Sequence, residues 1–310
     1  MTELPTGYYV RPPDDDDAGA IAALVQAQDV ADFGEPDFTE DDLRDDWQRP
    51  RFDREHDSWL VTGPTGRTVG YAYVWESQPG RELDGDAYVL PEYAGRGLGS
   101  RLLELVEQRA AHIADGRPMY LGVFASSVNT DKRDLLERRG FHVGRSALRM
   151  RADLSRRPDD EAVPPDGYAI GPLDPGCYDG VRTVFGEAFS SHRRFTAHRM
   201  QEWLDSRFAH PAFDPSLCRV ATRGADVVGA VMVFDVGDTG YTSQIAVRPQ
   251  ERGVGLGPAL LRAAFAALRD NGQMRAIVSV DADGDPGLIA MFEAAGMRVH
   301  ERHDLFVKPL

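Results

Sequence analysis

Glycine carries the first chemical signal in this chain. The apolar run Ile245-Ala246-Val247-Arg248-Pro249 is followed closely by Arg252-Gly253-Val254-Gly255-Leu256-Gly257-Pro258. Glycine adopts positive φ without steric cost, so a glycine-rich turn between a strand and a helix lets several backbone N–H groups converge on one anion. The dipole of the helix that follows adds positive potential at the same point. The chemistry expected of such a turn is the binding of a diphosphate. The device occurs twice. Ala87-Tyr88-Val89-Leu90-Pro91 leads into Ala94-Gly95-Arg96-Gly97-Leu98-Gly99-Ser100, an offset of 158 residues from Gly97 to Gly255.

Proton-transfer groups are sought on the strand before each loop. Candidates for a general base are Glu82, Asp84 and Asp86 in the first half and Asp238, Tyr241 and Ser243 in the second. Glu187 and His192 end an apolar helical stretch, and a histidine there can relay a proton near neutral pH. His300 and His303 lie in a segment that reads as extended, where a spacing of three puts them on opposite faces, so no metal site is expected. Cys177 and Cys218 have no C-x-x-C spacing, which argues against a disulfide framework or a zinc site. No histidine neighbours Cys218 in sequence, so a thiol nucleophile has little support.

The elements that must position these residues repeat in order. The first half reads as a short strand at 7–12, helices near 18–25 and 38–47, and a hairpin at 58–61 and 69–75. The strand into the first loop, a helix at 98–114, a strand at 119–124, a helix at 131–138 and a closing strand follow. Asp14–Asp17 and Thr39 sit where N-caps belong. From Gly167, which answers Gly7 at an offset of 160, the order begins again and closes with a strand at 305–307. The polar, proline-rich stretch 155–166 reads as a linker between domains 1–154 and 167–310.

This order separates the loops from a dinucleotide fingerprint, which sits after the first strand of a βαβ unit. The chain resembles the GNAT superfamily of acyl-CoA-dependent N-acyltransferases. Its signature, an apolar-x-Val-x-Pro stretch followed by Arg/Gln-x-x-Gly-x-Gly/Ala, is matched in full by the second loop and, except for Ala94 at the Arg/Gln position, by the first. The tandem layout is similar to that of two-domain actinobacterial acetyltransferases. The resemblance implies an α/β fold with two tandem domains, each a splayed mixed sheet flanked by helices. It also implies acetyl-CoA as the cosubstrate, bound through Ala87, Tyr88, Val89, residues 94–100 and Asn129 in one half and through residues 245–247 and 252–258 in the other. Direct attack by an amine would follow, with an amide near the thioester carbonyl stabilising the oxyanion. The family's usual tyrosine acid is replaced by Leu136 and Phe292. The second half, which keeps Arg252, is the expected catalytic unit. The candidates there are Tyr241, Ser243, Glu187 and His192.

Composition bounds the partners. A hydrophobic content of 42 % supports packed cores, while a formal charge of −15 repels nucleic-acid phosphates and mildly favours a cationic amine. Lysine occurs only at 132 and 308. No apolar run reaches membrane-spanning length and no signal segment opens the chain, so a cytoplasmic monomer or homodimer acting on a small-molecule amine is expected. A small polar amine, an aminoglycoside-like molecule, a mycothiol-type precursor and a protein amine all stay open as acceptor. The rival reading is an acyl-CoA-binding sensor without turnover in one or both halves. A P-loop is disfavoured because neither loop ends in Lys-Ser/Thr.

Overall fold

Local chemistry sets the element ends. Asp14 accepts from the Asp16 amide at 3.0 Å while Asp17 returns a bond to the Asp14 amide, and Thr39 and Asp42 form the same reciprocal box at the next helix. Such boxes satisfy amides that a helix start leaves free. The computed structural model describes residues 4–155, 163–189, 207–210 and 212–310. Residues 156–162 of the linker, His192 and most of the stretch 200–208, where the repeated order places the second helix of the second half, lie outside these residues.

The first compact unit consists of Met1–Ala147 together with Glu301–Leu310. Its elements are β1 (Tyr9–Arg11), α1 (Ala18–Phe33), α2 (Glu40–Trp47), α3 (Arg54–Asp57), β2 (Ser58–Thr62), β3 (Thr68–Gln78) and β4 (Glu82–Val89). α4 (Leu98–Ala114), β5 (Tyr120–Ser126), α5 (Thr130–Arg138) and the first half of β6 (His142–Asp153) follow. The sheet order is β1-β2-β3-β4-β5-β12, where β12 is the C-terminal strand Arg298–Pro309. Only β4 and β5 run parallel among these pairs, and β12 pairs antiparallel with β5 from His303↔Ser126 to Pro309↔Tyr120.

The second unit is Leu148–His300. It contains the rest of β6, β7 (Ala169–Pro172), α6 (Tyr178–Phe189), β8 (Arg219–Arg223), β9 (Asp226–Val236) and β10 (Thr239–Val247). α7 (Leu256–Asp270), β11 (Arg275–Asp281) and α8 (Pro286–Ala294) complete it, with sheet order β7-β8-β9-β10-β11-β6.

Each compact unit therefore takes its closing strand from the other half of the sequence. The reason is packing and charge. Phe306 belongs to the first core, whereas Met150, Ala152 and Leu154 belong to the second. Asp304, 3 % exposed, is bonded to Ser146 and ion-paired with Arg133 and Arg302 inside the first unit. Burial would push the Asp304 carboxyl up, but Ser146 and the two arginines outweigh it and hold the group below the usual range.

The helix after each loop is seated by an apolar stripe. Leu98, Leu102, Leu103 and Val106 of α4 are buried, as are Leu256, Leu260, Leu261, Ala264 and Leu268 of α7. Each large aliphatic side chain contributes about 1.5–3 kcal/mol on burial. Both helices approach the sheet at a glycine. A Cβ on Gly85 would sit 2.8 Å from Val106 Cγ1, and one on Gly240 would sit 2.3 Å from Leu268 Cδ2.

Candidate active site

The two glycine loops have one geometry. A single 3₁₀ turn, Pro91–Tyr93 or Pro249–Glu251, leads into two glycines of positive φ, 73° and 81° at Gly95 and Gly97 and 83° and 86° at Gly253 and Gly255. Gly97 and Gly255 are the N-caps of α4 and α7, and neither helix has a side-chain cap. The first-turn amides are thus left for an outside acceptor. A Cβ built on any of these four glycines meets nothing within 4 Å, so their need for glycine is conformational and the face above them is open.

Above each loop the sheet splays. Parallel pairing of β4 with β5 stops at Gly85↔Val123, and that of β10 with β11 stops at Tyr241↔Ile277. Beyond these points one side of β4 and of β10 has no strand partner among the described residues, and an extended amide-bearing ligand can add there as a strand does. In the first unit the gap and the loop open into a cavity of about 680 Å³, within the size range of small-molecule sites. Ala87, Val89, Ala94, Gly95, Gly97, Leu98, Gly99, Ser100 and Asn129 line it. These nine of the expected cofactor residues are brought together.

Tyr88 and Arg96 are not among the lining residues. Alternation along β4 turns the half-buried Tyr88 away from Ala87 and Val89, and its ring lies 5.1 Å from Nζ of Lys132, a residue of the cavity lining. Arg96 donates to the Tyr8 hydroxyl at 3.0 Å and to the Glu92 carbonyl at 3.1 Å, with its guanidinium 4.7 Å from the Tyr93 ring. It braces the loop from behind. Asn129 uses its Oδ1 to cap α5 through the Lys132 amide and its Nδ2 to reach Asp32, so it shapes the cavity wall.

In the second unit, Ile245 and Val247 pack toward the core beneath α7, while Ala246, 6 % exposed, faces the core beside α6. Leu256 is buried and Val254 is exposed, which leaves the backbone of Gly253–Gly257 as the surface of the cradle. Pro258 follows within the first turn of α7. Arg252 Nε donates to the Val247 carbonyl at 3.1 Å, tying the loop to the end of β10.

The proton-transfer candidates separate. Glu187 is ion-paired with Arg248 at 3.4 Å, and Asp238 with Arg275 at 3.7 Å. Tyr241 is the last β10 residue paired with β11. Ser243 is the extra residue of a β-bulge, because Thr242 pairs with Val233 and Gln244 with Met232. Bulges re-aim side chains and are enriched beside active sites. The first unit has no bulge there: Asp84 faces Trp75 and Asp86 faces Tyr73 in regular register. Register makes Tyr241 the counterpart of Asp84 and Gln244 that of Asp86, with Ser243 inserted between them.

Sequence reasoning missed two features. Thr242 is 1 % exposed, and its hydroxyl has no hydrogen-bond partner among the described residues, directly past the last β10–β11 pair. Burial of a lone hydroxyl is costly, which marks the site. In the first unit Asp86, 6 % exposed, is ion-paired with Lys132. Burial, and then the Asp86 charge, hold the Tyr88 hydroxyl well above its ordinary range; the same two causes act on Tyr73. Both phenols stay protonated. Leu136 and Phe292 are each 1 % exposed in the cores, and no acid stands at either position. Burial pushes the Cys218 thiol up to about 11, which keeps it unreactive.

Paired uncapped helix starts, open glycine cradles and splayed mixed sheets define a tandem acyl-CoA-dependent acyltransferase. The Acetyltransferase (GNAT) family matches residues 22–141 and 179–297, and the chain belongs to that family. It is an acetyl-CoA-dependent N-acetyltransferase. It is 27 % identical over 248 residues to a mycothiol acetyltransferase of Streptomyces coelicolor, covering 78 % of this chain and 76 % of the relative. A GCN5-related N-acetyltransferase from Sphaerobacter thermophilus superposes with a TM-score of 0.81 at 27 % identity, over 99 % of this chain and 97 % of that one. A tandem GNAT protein from the clavulanic acid biosynthesis pathway shares the fold at 18 % identity, with a TM-score of 0.71 over 97 % and 98 % of the two chains.

Proposed function

We propose that the second unit turns over, moving an acetyl group from acetyl-CoA to a small-molecule amine, while the first unit binds acyl-CoA. The observation that carries this assignment is the bulge at Ser243, which opens the β10 ladder at the splay. The amides of Gly253–Gly257 would hold the diphosphate, and the free edge of β10 would align the pantetheine arm. Bound acetyl-CoA supplies an activated acyl thioester. Arg252 holds the loop to the strand, and Thr242 and Ser243 offer hydroxyls at the point where the strands part. Most of the acceleration then comes from placing donor and amine together. The relatives are mycothiol acetyltransferases, so a mycothiol-type amine is the first acceptor to assay, followed by polyamine and aminosugar panels.

Calorimetric titration with coenzyme A tests the assignment. Aspartate tolerates positive φ better than most residues and brings a carboxylate into the cradle. Gly97→Asp and Gly255→Asp should each abolish one of two sites, weakening it by roughly 100-fold, or about 3 kcal/mol. Thiol release with amine should be lost in Gly255→Asp and kept in Gly97→Asp. The reverse pattern would assign turnover to the first unit, and a wild type that binds no coenzyme A would end the reading.

A further inference from the structure

The first unit holds an amine in the wall of its own cavity. The two lysines of the chain are placed very differently. Lys308, on β12, donates to Glu107 at 2.7 Å and to the Arg139 carbonyl at 2.8 Å and is not part of the cavity lining. Lys132, in the first turn of α5, lines the cavity, and its Nζ forms an ion pair with Asp86. Asp86 is the first residue of β4 beyond the last pair with β5, the point at which the gap opens. Its carboxylate also accepts from the Ala87 amide at 2.6 Å. A buried carboxylate bonded to the amine of a cavity-lining lysine, where β4 parts from β5, is the juxtaposition that amine acylation needs.

We propose that Lys132 is a modification site, acetylated at Nζ by acetyl-CoA held in the same unit. The proposal rests on the reading that the first unit binds acyl-CoA. Asp86 takes one proton from the Lys132 ammonium, and the freed lone pair attacks the thioester carbonyl. A C–N bond forms, the C–S bond breaks, and the departing thiolate takes the second ammonium proton to leave as the thiol. The proton on Asp86 passes to solvent. The product is a neutral amide whose remaining N–H can still donate to Asp86, so the buried carboxylate keeps a partner after its counter-charge is gone. The reaction occurs once per chain, which fits a unit that binds without turnover.

The full chain is incubated with isotopically labelled acetyl-CoA, and peptide mass spectrometry follows label at Lys132, with Lys308 as internal control. Lys132 should acquire label at least about 100-fold faster than Lys308, the lower end of the range a positioned base supplies. Excess free coenzyme A and Gly97→Asp should each bring Lys132 down to the Lys308 rate. Asp86→Asn should slow it about 10-fold or more, and calorimetry on that variant shows whether the coenzyme A site survives. Label at equal rates on both lysines would overturn the proposal, as would an unlabelled Lys132 in a chain whose first-unit site binds coenzyme A. A first unit that binds no coenzyme A would overturn the binding reading and the proposal with it.

Discussion

Asp46 is a largely buried acid of the first unit whose displaced titration is open to a stability measurement. Burial raises its carboxyl to about 6, against the pull of Arg49 and with help from Asp42 and Asp45. Its folded value lies above the unfolded one, so its protonated form favours folding at low pH, and that contribution fades as pH rises through about 6. At pH 8 the charged group costs about 2 kcal/mol after allowance for its partial exposure. Urea unfolding should therefore show Asp46→Asn more stable than the wild type by about 1–2 kcal/mol near pH 8 and indistinguishable from it near pH 3. Among residues, the glycine cradles were legible from composition and order alone, because positive φ at fixed spacing admits little else. Arg96 was not. It stands beside the cradle in sequence, yet Tyr8, the Glu92 carbonyl and the Tyr93 ring hold it behind the loop.

At the scale of elements, the bulge in β10 and the exchanged closing strands distinguish this chain from a plain duplication. Deleting Ser243 would make the β9–β10 register regular at the splay, as it is between β3 and β4 from Asp84 to Val89. Amine acetylation should fall by at least about 100-fold if placement supplies the rate, while both coenzyme A sites persist in calorimetry. Survival of activity would detach the bulge from catalysis. β12 offers a second test. A chain ending at His300 loses the β5 partner strand, the buried Leu305 and Phe306, and the Asp304 ion pairs. Losing those two side chains alone costs about 3–6 kcal/mol. The first-unit coenzyme A site should disappear, and retention of two sites would show that this strand is dispensable. Strand existence was legible at both ends of the swap. Strand partnership was not, since alternation names the buried face of a strand and carries no address for its neighbour.

For the whole molecule, the charge of −15 acts at a distance. A cationic acceptor is drawn toward an acidic protein, and the attraction weakens as salt shortens the screening length from about 30 Å at 0.01 M to about 8 Å at 0.15 M. KM for a polycationic amine should rise several-fold over that range, while KM for a singly charged aminosugar changes little. Equal responses would place the acceptor's selection in contacts at the site. The described residues contain no helix long and apolar enough to cross a membrane and no cluster of three or more potential metal ligands.

The sequence by itself determined the class of the protein, because duplicated glycine turns after two helices and a hairpin state both a backbone conformation and its place in a fold. It also determined the missing tyrosine acid at Leu136 and Phe292, a matter of residue type. Tertiary structure alone decided which strand closes which unit, that Ser243 interrupts a ladder, and that Lys132 meets Asp86 across 46 residues of chain. The closing strands and the Lys132–Asp86 pair depend on partners far apart in sequence, chosen by shape and charge only once the cores have packed, while the bulge is a matter of pairing register that alternation does not encode.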